Sequence, residues 1–274
     1  MPCRQILGTM MVFCCLVASC GKNDSNVIPP VVPPAYKLDY GDSIFFLQQQ
    51  ATDYIVTPVQ AAVPGVYSGF PEGIEINSKT GAINVSKSEM GLRYRISFVP
   101  DGSKDTSSAI VLLSGINFLD GFYKLNTADS ILKPIYNANA ANAVPGINNG
   151  SVFDEGSGCK SAGCNVNLAS GSINLAQTVR NGVFGVNPVN NDRHEFDLNY
   201  RINDKSGKAL NTLRVKLYFF KSMNDVTQEV YDIIASRQGT VFRESVGAIN
   251  ALARTMNADK AAKPRPPCIF IIAQ

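Results

Sequence analysis

Phe70-Pro71-Glu72-Gly73-Ile74-Glu75-Ile76-Asn77-Ser78-Lys79-Thr80-Gly81-Ala82-Ile83-Asn84-Val85 is the stretch whose reading decides the fold. Ile74 and Ile76 alternate with polar residues, and so do Ile83 and Val85, the period of a half-buried strand. Asn77 to Gly81 between them supplies a hairpin turn that ends in glycine. The same style extends on both sides. Ser43-Ile44-Phe45-Phe46-Leu47 and Tyr54-Ile55-Val56-Thr57-Pro58-Val59 read as short strands, with Pro58 marking an edge or strand end. Leu92, Tyr94, Ile96 and Phe98 alternate with Arg93, Arg95 and Ser97, and Ala109 to Leu113 forms a further apolar run. Residues 36–114 therefore read as one all-β module.

Pro71-x-Gly73-Ile74-x-Ile76, Thr80-Gly81-x-Ile83 and Gly91-Leu92-x-Tyr94 resemble the immunoglobulin-like and cadherin-like repeats of bacterial surface proteins. The resemblance covers about Tyr36 to Ser114 and implies a β-sandwich. It says little about function, because such folds host many. Phe70 stands where the family pattern has leucine. The clustered Asp/Asn residues of calcium-binding cadherins are missing, so no calcium sites are carried over.

The amino terminus points to a location. Arg4 precedes an apolar run, Ile6 to Leu16, and small residues follow, the layout of a secretory signal. The run is shorter than the about 20 residues a membrane span needs. Val17-Ala18-Ser19-Cys20 resembles the lipobox of bacterial lipoproteins. That resemblance implies cleavage before Cys20 and acylation of its thiol and new amino group. Gly21, where Asp would favour the inner membrane, implies the outer membrane, at its periplasmic or extracellular face. Residues 1–19 thus read as signal peptide. Residues 20–35, ending in Pro29-Pro30-Val31-Val32-Pro33-Pro34, read as a lipidated cysteine followed by an extended tether.

Residues 115–274 read as a second, β-rich α+β domain of unrecognised type. Residues 138–171 are rich in Asn, Ala and Gly and suggest long loops, with a short strand at Val152-Phe153. Phe196, Leu198, Tyr200 and Ile202 alternate, a polar turn follows, and Leu213, Val215, Leu217 and Phe219 alternate: a long hairpin. Asp225 with Gln228 can open a helix whose apolar face is Val226, Val230, Ile233 and Ile234. A weaker helix is expected over Val246 to Met256. Cys268 to Ala273 reads as a strand buried on both faces. The fold expected is mainly β, an immunoglobulin-like sandwich followed by a β-rich module with one or two short helices.

Composition excludes some functions. Twenty-five basic residues face 22 acidic ones, a net charge of +3 with no basic run, which argues against nucleic-acid binding. Beyond the signal the cysteines are Cys20, Cys159, Cys164 and Cys268. In an oxidising compartment Cys159 and Cys164 are candidates for a small-loop disulfide; two free thiols, or one paired with Cys268, are the alternatives. Cys268 reads otherwise as a small buried hydrophobe.

Catalytic motifs are weak. His194 is the one histidine, and Asp192 and Glu195 are beside it. Strand neighbours point to opposite faces, and a triad needs an oriented base and a facing nucleophile. One histidine and no Cys-x-x-Cys pair do not make a usual zinc site. Gly156-Ser157-Gly158-Cys159-Lys160-Ser161 mimics a phosphate loop but breaks its spacing. Glu72, Glu75, Asp154 and Glu155 are carboxylates that a glycosidase could pair, though nothing in the spacing selects two of them. The chain has no Trp to serve as a flat sugar platform. No catalytic residue, metal or cofactor is assigned. The expected function is a lipid-anchored, non-enzymatic binding or spacer protein for a protein or glycan partner. The alternative is a lipid-anchored extracytoplasmic hydrolase acting on glycans.

Overall fold

The computed structural model describes residues 36–60, 62–127, 130–237 and 265–274. The signal segment, Cys20, the tether and the helix expected over Val246–Met256 fall outside the described residues. The fold is mainly β and sandwich-like. The first half carries β1 (Ile44–Phe46), β2 (Ile55–Val56), β3 (Gly65–Phe70), β4 (Glu75–Ile76), β5 (Ile83–Asn84), β6 (Leu92–Pro100) and β7 (Ser107–Ser114). One sheet runs β1-β7-β6-β3, with β1 parallel to β7 and the other pairs antiparallel; a small sheet runs β2-β5-β4. The two sheets share a core. Leu92, Tyr94, Ile96 and Phe98 of β6 are fully buried in it, beside Tyr67, Ile83 and Val111. Each such side chain contributes about 1.5–3 kcal/mol relative to exposure.

One expectation on β6 fails. Arg95 belongs to the set predicted to face solvent, yet it is 7% exposed. It lies mid-sheet, with Phe70 of β3 and Ile110 of β7 directly opposite, so both neighbouring strands wall it in. Burial pushes its pKa down.

The second half holds β8 (Ile116–Asn117), β9 (Gly121–Lys124), β10 (Ile131–Leu132), β11 (Ile135–Tyr136), β12 (Val152–Phe153) and β13 (Ile173–Asn174), then β14 (Asp192–Arg201), β15 (Asn211–Phe220) and β16 (Cys268–Ile272). Short helices α1 (Gly158–Ser161), α2 (Leu175–Arg180) and α3 (Gln228–Arg237) interrupt them. The main sheet runs β12-β14-β15-β16-β9. The expected hairpin is β14 with β15, Phe196 facing Val215 and Leu198 facing Leu213.

The expected terminal strand is β16. It pairs in parallel with β15 on one side and β9 on the other. Ile269 and Ile271 face the core beneath the sheet, while Cys268, Phe270 and Ile272 face a second cluster closed by Val226 and by α3 through Val230, Ile233 and Ile234. Asp225 does not cap α3 directly. Its carboxylate accepts from the Ser222 N–H and hydroxyl, closing a capping box around the 3-10 turn Met223–Asp225 just ahead of the helix.

The second half repeats the first. Strand order β3-β6-β7-β1 is matched by β12-β14-β15-β9, except that β16 is slotted between β15 and β9. Ile55 opposite Asn84 and Val56 opposite Ile83 are matched by Ile131 opposite Asn174 and Leu132 opposite Ile173. The deciding hairpin turn recurs 90 residues later. Asn77 Oδ1 accepts from the N–H groups of Lys79 and Thr80; Asn167 Oδ1 accepts from Ala169 and Ser170. The Gly81 N–H donates to Asn77 O at 2.8 Å, and the Gly171 N–H to Asn167 O at 2.8 Å. Asn84 caps the turn Val85–Lys87 as Asn174 caps α2. Ser88 Oγ donates to Asn84 O and accepts from the Glu75 N–H, as Thr178 Oγ1 does with Asn174 and Asn165. Gly81 and Gly171 both have φ of +71°, and a Cβ on either would strike an aromatic ring, Tyr67 at 2.7 Å or Phe153 at 2.5 Å. The segment Asn-x-x-Ser/Thr-Gly-x-Ile-Asn is thus one structural unit used twice.

Candidate functional site

Polar chemistry gathers where the two repeats meet. The β1–β2 connection (residues 47–53), the turn at 86–89 and the ends of the β14–β15 hairpin (201 and 209–212) line a cleft of about 730 Å³. The first wall presents three consecutive amides, Gln48 to Gln50, then Thr52 and Asp53. The opposite wall presents Arg201, Asn211 and Thr212. Each fixed charge at the mouth has a partner. Asp53 pairs with Lys87 at 3.0 Å and accepts from Asn84 Nδ2 at 2.8 Å. Those two bonds hold its carboxyl below the usual range. Arg201 is gripped by both oxygens of Glu155, which lowers the Glu155 pKa, and donates to Lys208 O. Asn211 Nδ2 donates to the Tyr200 hydroxyl at 2.7 Å, and Thr212 Oγ1 to Asn199 Oδ1 at 2.7 Å. What remains for a ligand is mostly neutral amide and hydroxyl.

Glu89 also lines this cleft. Burial pushes its carboxyl above the ordinary range, and an N–H from Arg265 at 3.1 Å works against that shift. It borders a buried ionic cluster that ties the two repeats together. Asp120 accepts from Arg237 Nη1 at 2.6 Å and from the Cys268 N–H at 2.7 Å, and lies 3.5 Å from Arg265 Nη2. Arg237 also donates to Pro266 O. Asp120 thus fixes the end of α3 and the start of β16 at one point.

The residues singled out from the sequence mostly serve structure. Asp154 is buried, and its carboxylate accepts from the N–H groups of Cys159 and Lys160. The phosphate-loop mimic therefore has its amides filled by an acid. Asp154 and Glu155, adjacent in sequence, serve different partners, and Glu72 and Glu75 lie in the matching corner of the other repeat. His194 lies on β14 with its ring 4.7 Å from that of Phe196. Asp192 accepts instead from the Val189 N–H, and Glu195 pairs with Lys216. Cys159, Cys164 and Cys268 are all buried free thiols in the structure.

Sequence reasoning missed Asp53, Gln48 to Gln50, Glu89 and Asp120. No motif marks them; the chain brings them together from segments tens of residues apart. It also missed the second repeat, although Asn167-x-x-Ser170-Gly171-x-Ile173-Asn174 carries the signal. Among the described residues no group of three or more His, Cys, Asp or Glu is placed to hold a metal ion. No described helix is long and apolar enough to cross a membrane.

No protein-family model matches this sequence, and no curated protein does. Among solved structures, two crystal forms of human protocadherin-24 EC1-2 are similar. One is 8% identical, covers 66% of this chain and 96% of that one, and has a TM-score of 0.23. The other is 12% identical, covers 66% and 94%, and has a TM-score of 0.24. At these TM-scores neither overlay carries an argument about fold or activity.

Proposed function

We propose that this chain is a lipid-anchored binding protein of the outer membrane, tethered through Cys20, whose paired β repeats present the polar cleft to a partner outside the cytoplasm. The cleft carries the reading. Its charges are already neutralised by one another, and its free groups are the amides and hydroxyls of Gln49, Gln50 and Thr52. Such a surface suits an uncharged ligand rich in hydroxyls or amides, an oligosaccharide before a charged polymer. Burial of a charged ligand beside Arg201 and Asp53 would have to break existing ion pairs. The test is calorimetric titration of the protein with neutral and acidic oligosaccharides, beside a Gln49→Ala/Gln50→Ala variant. Binding of neutral glycans that the variant loses supports the reading. Equal binding by the variant, or no glycan bound while a protein partner is retained, overturns the glycan assignment.

One observation favours the hydrolase reading as an alternative. Asp53 and Glu89 line the same cleft, with pKa values pushed in opposite directions. That is the division expected between a general acid and an ionised partner. Release of reducing sugar by the wild type, abolished in Glu89→Gln, would establish that reading and displace the non-enzymatic one.

A further inference from the structure

The second repeat departs from the first at one corner. In the first, Tyr67 and Gly73 bracket a short turn that ends at buried Ile74. In the second, the equivalent stretch from Phe153 to Gly163 is four residues longer; the extra length forms α1 and carries Cys159, while Cys164 replaces Ile74. We propose that Cys159 and Cys164 form an intramolecular disulfide that staples this corner. Both side chains are 1% exposed and belong to the same apolar cluster. The backbone turns Cys164 back over Cys159, its N–H donating to Cys159 O at 2.9 Å. The Asp154 carboxylate fixes the turn by accepting from Cys159 and Lys160. Cys159 Sγ sits 3.4 Å from Asp197 O of β14, so the thiol is held in place from outside the loop too. The Cys164 thiol and burial both push the Cys159 thiol pKa up.

Cys268 is the wrong partner. It projects from the other face of β16 into the cluster beneath α3, with the sheet between it and Cys159. The reaction is thiol–disulfide exchange. One cysteine, as thiolate, attacks the disulfide of an oxidised dithiol protein, giving a mixed disulfide. The other then displaces it, leaving the Cys159–Cys164 bond and a reduced dithiol. Two protons and two electrons pass from the pair to the oxidant. Glu155, one residue after Asp154, grips Arg201, so the staple also steadies one wall of the cleft.

Oxidation in the cell rests on the extracytoplasmic reading above; the geometry does not. The experiment therefore has two arms. In the first, membrane-extracted full chain is denatured without reductant, alkylated and peptide-mapped. The expected result is alkylation of Cys268 alone and a linked Cys159–Cys164 peptide. Alkylation of both Cys159 and Cys164, or a link to Cys268, overturns the proposal. In the second arm, reduced chain is refolded from urea in mixtures of oxidised and reduced dithiothreitol, because the two buried thiols are closed to reagent in the fold. The pair should close without loss of near-ultraviolet dichroism, and the loop entropy should raise the Tm by roughly 4–8 °C. A refolded protein whose pair stays reduced overturns it. A chain found uncut in the cytoplasm would sink the export reading while the second arm still decides the staple.

Discussion

Alanine at Gly171, and separately at Gly81, tests the repeated turn. Both glycines sit at φ +71°. An L side chain in that region costs about 1–2 kcal/mol. The new Cβ would also lie 2.5 Å from the Phe153 ring at Gly171, and 2.7 Å from the Tyr67 ring at Gly81. Both rings are essentially buried, Phe153 at 1% and Tyr67 at 2% exposure, so neither can swing into solvent. Forcing a methyl into such packing costs roughly 1–3 kcal/mol. Each substitution should therefore cost about 2–5 kcal/mol out of a domain stability of about 5–15 kcal/mol. The matching Tm loss is roughly 4–20 °C for a domain of this size. Urea unfolding of a soluble form beginning after Cys20, followed by near-ultraviolet dichroism, reads it directly. Shortening the ring in Gly171→Ala/Phe153→Leu should recover part of the cost, a coupling of about 0.5–3 kcal/mol between contacting sites. A cost within about 0.5 kcal/mol of zero, the range of ordinary surface changes, would refute the ring-contact argument. Strongly unequal costs at the two glycines would refute the equivalence of the turns.

Asp120→Ala should cost about 3–5 kcal/mol, because it leaves Arg265 and Arg237 without their shared acid; an unchanged melting curve would show that the cluster does not hold β16. The Glu89 carboxyl titrates above its ordinary 4.5 in the fold. The folded state then binds the proton more tightly, so stability should fall as pH rises from about 4.5 toward the raised value. Glu89→Gln should lack that decline, and parallel pH–stability curves for the two proteins would contradict the assignment. Deleting residues 265–274 removes a strand paired on both edges and should unfold the second repeat; an unaltered melt would mean β16 is dispensable. Cys20→Ser should abolish partitioning into the detergent phase, and a wild type with no lipid mass on its N-terminal peptide would end the lipoprotein reading.

The strands were legible because their pattern is local. Alternation in Leu92 to Phe98 and in Phe196 to Phe219 reports which side chains face a core, whatever that core is made of. The turn at Asn77 to Gly81 was legible for the same reason, since its hydrogen bonds close within five residues. Cys268 to Ile272 could be read as a buried strand because an unbroken apolar run leaves no polar face for water. Its place was not legible. Nothing in those residues says that they enter between β15 and β9, where the first repeat has β7 paired directly with β1. That arrangement depends on which backbone edges are open once the rest of the sheet has formed. Arg95 was misread because alternation assigns a side chain to a face but does not say whether that face is covered. The cleft lay beyond the sequence altogether. Gln49, Asp53, Glu89, Arg201 and Asn211 come from distant segments, and their chemistry is set by partners such as Lys87, Glu155 and Arg265 that only the folded chain brings within hydrogen-bonding distance.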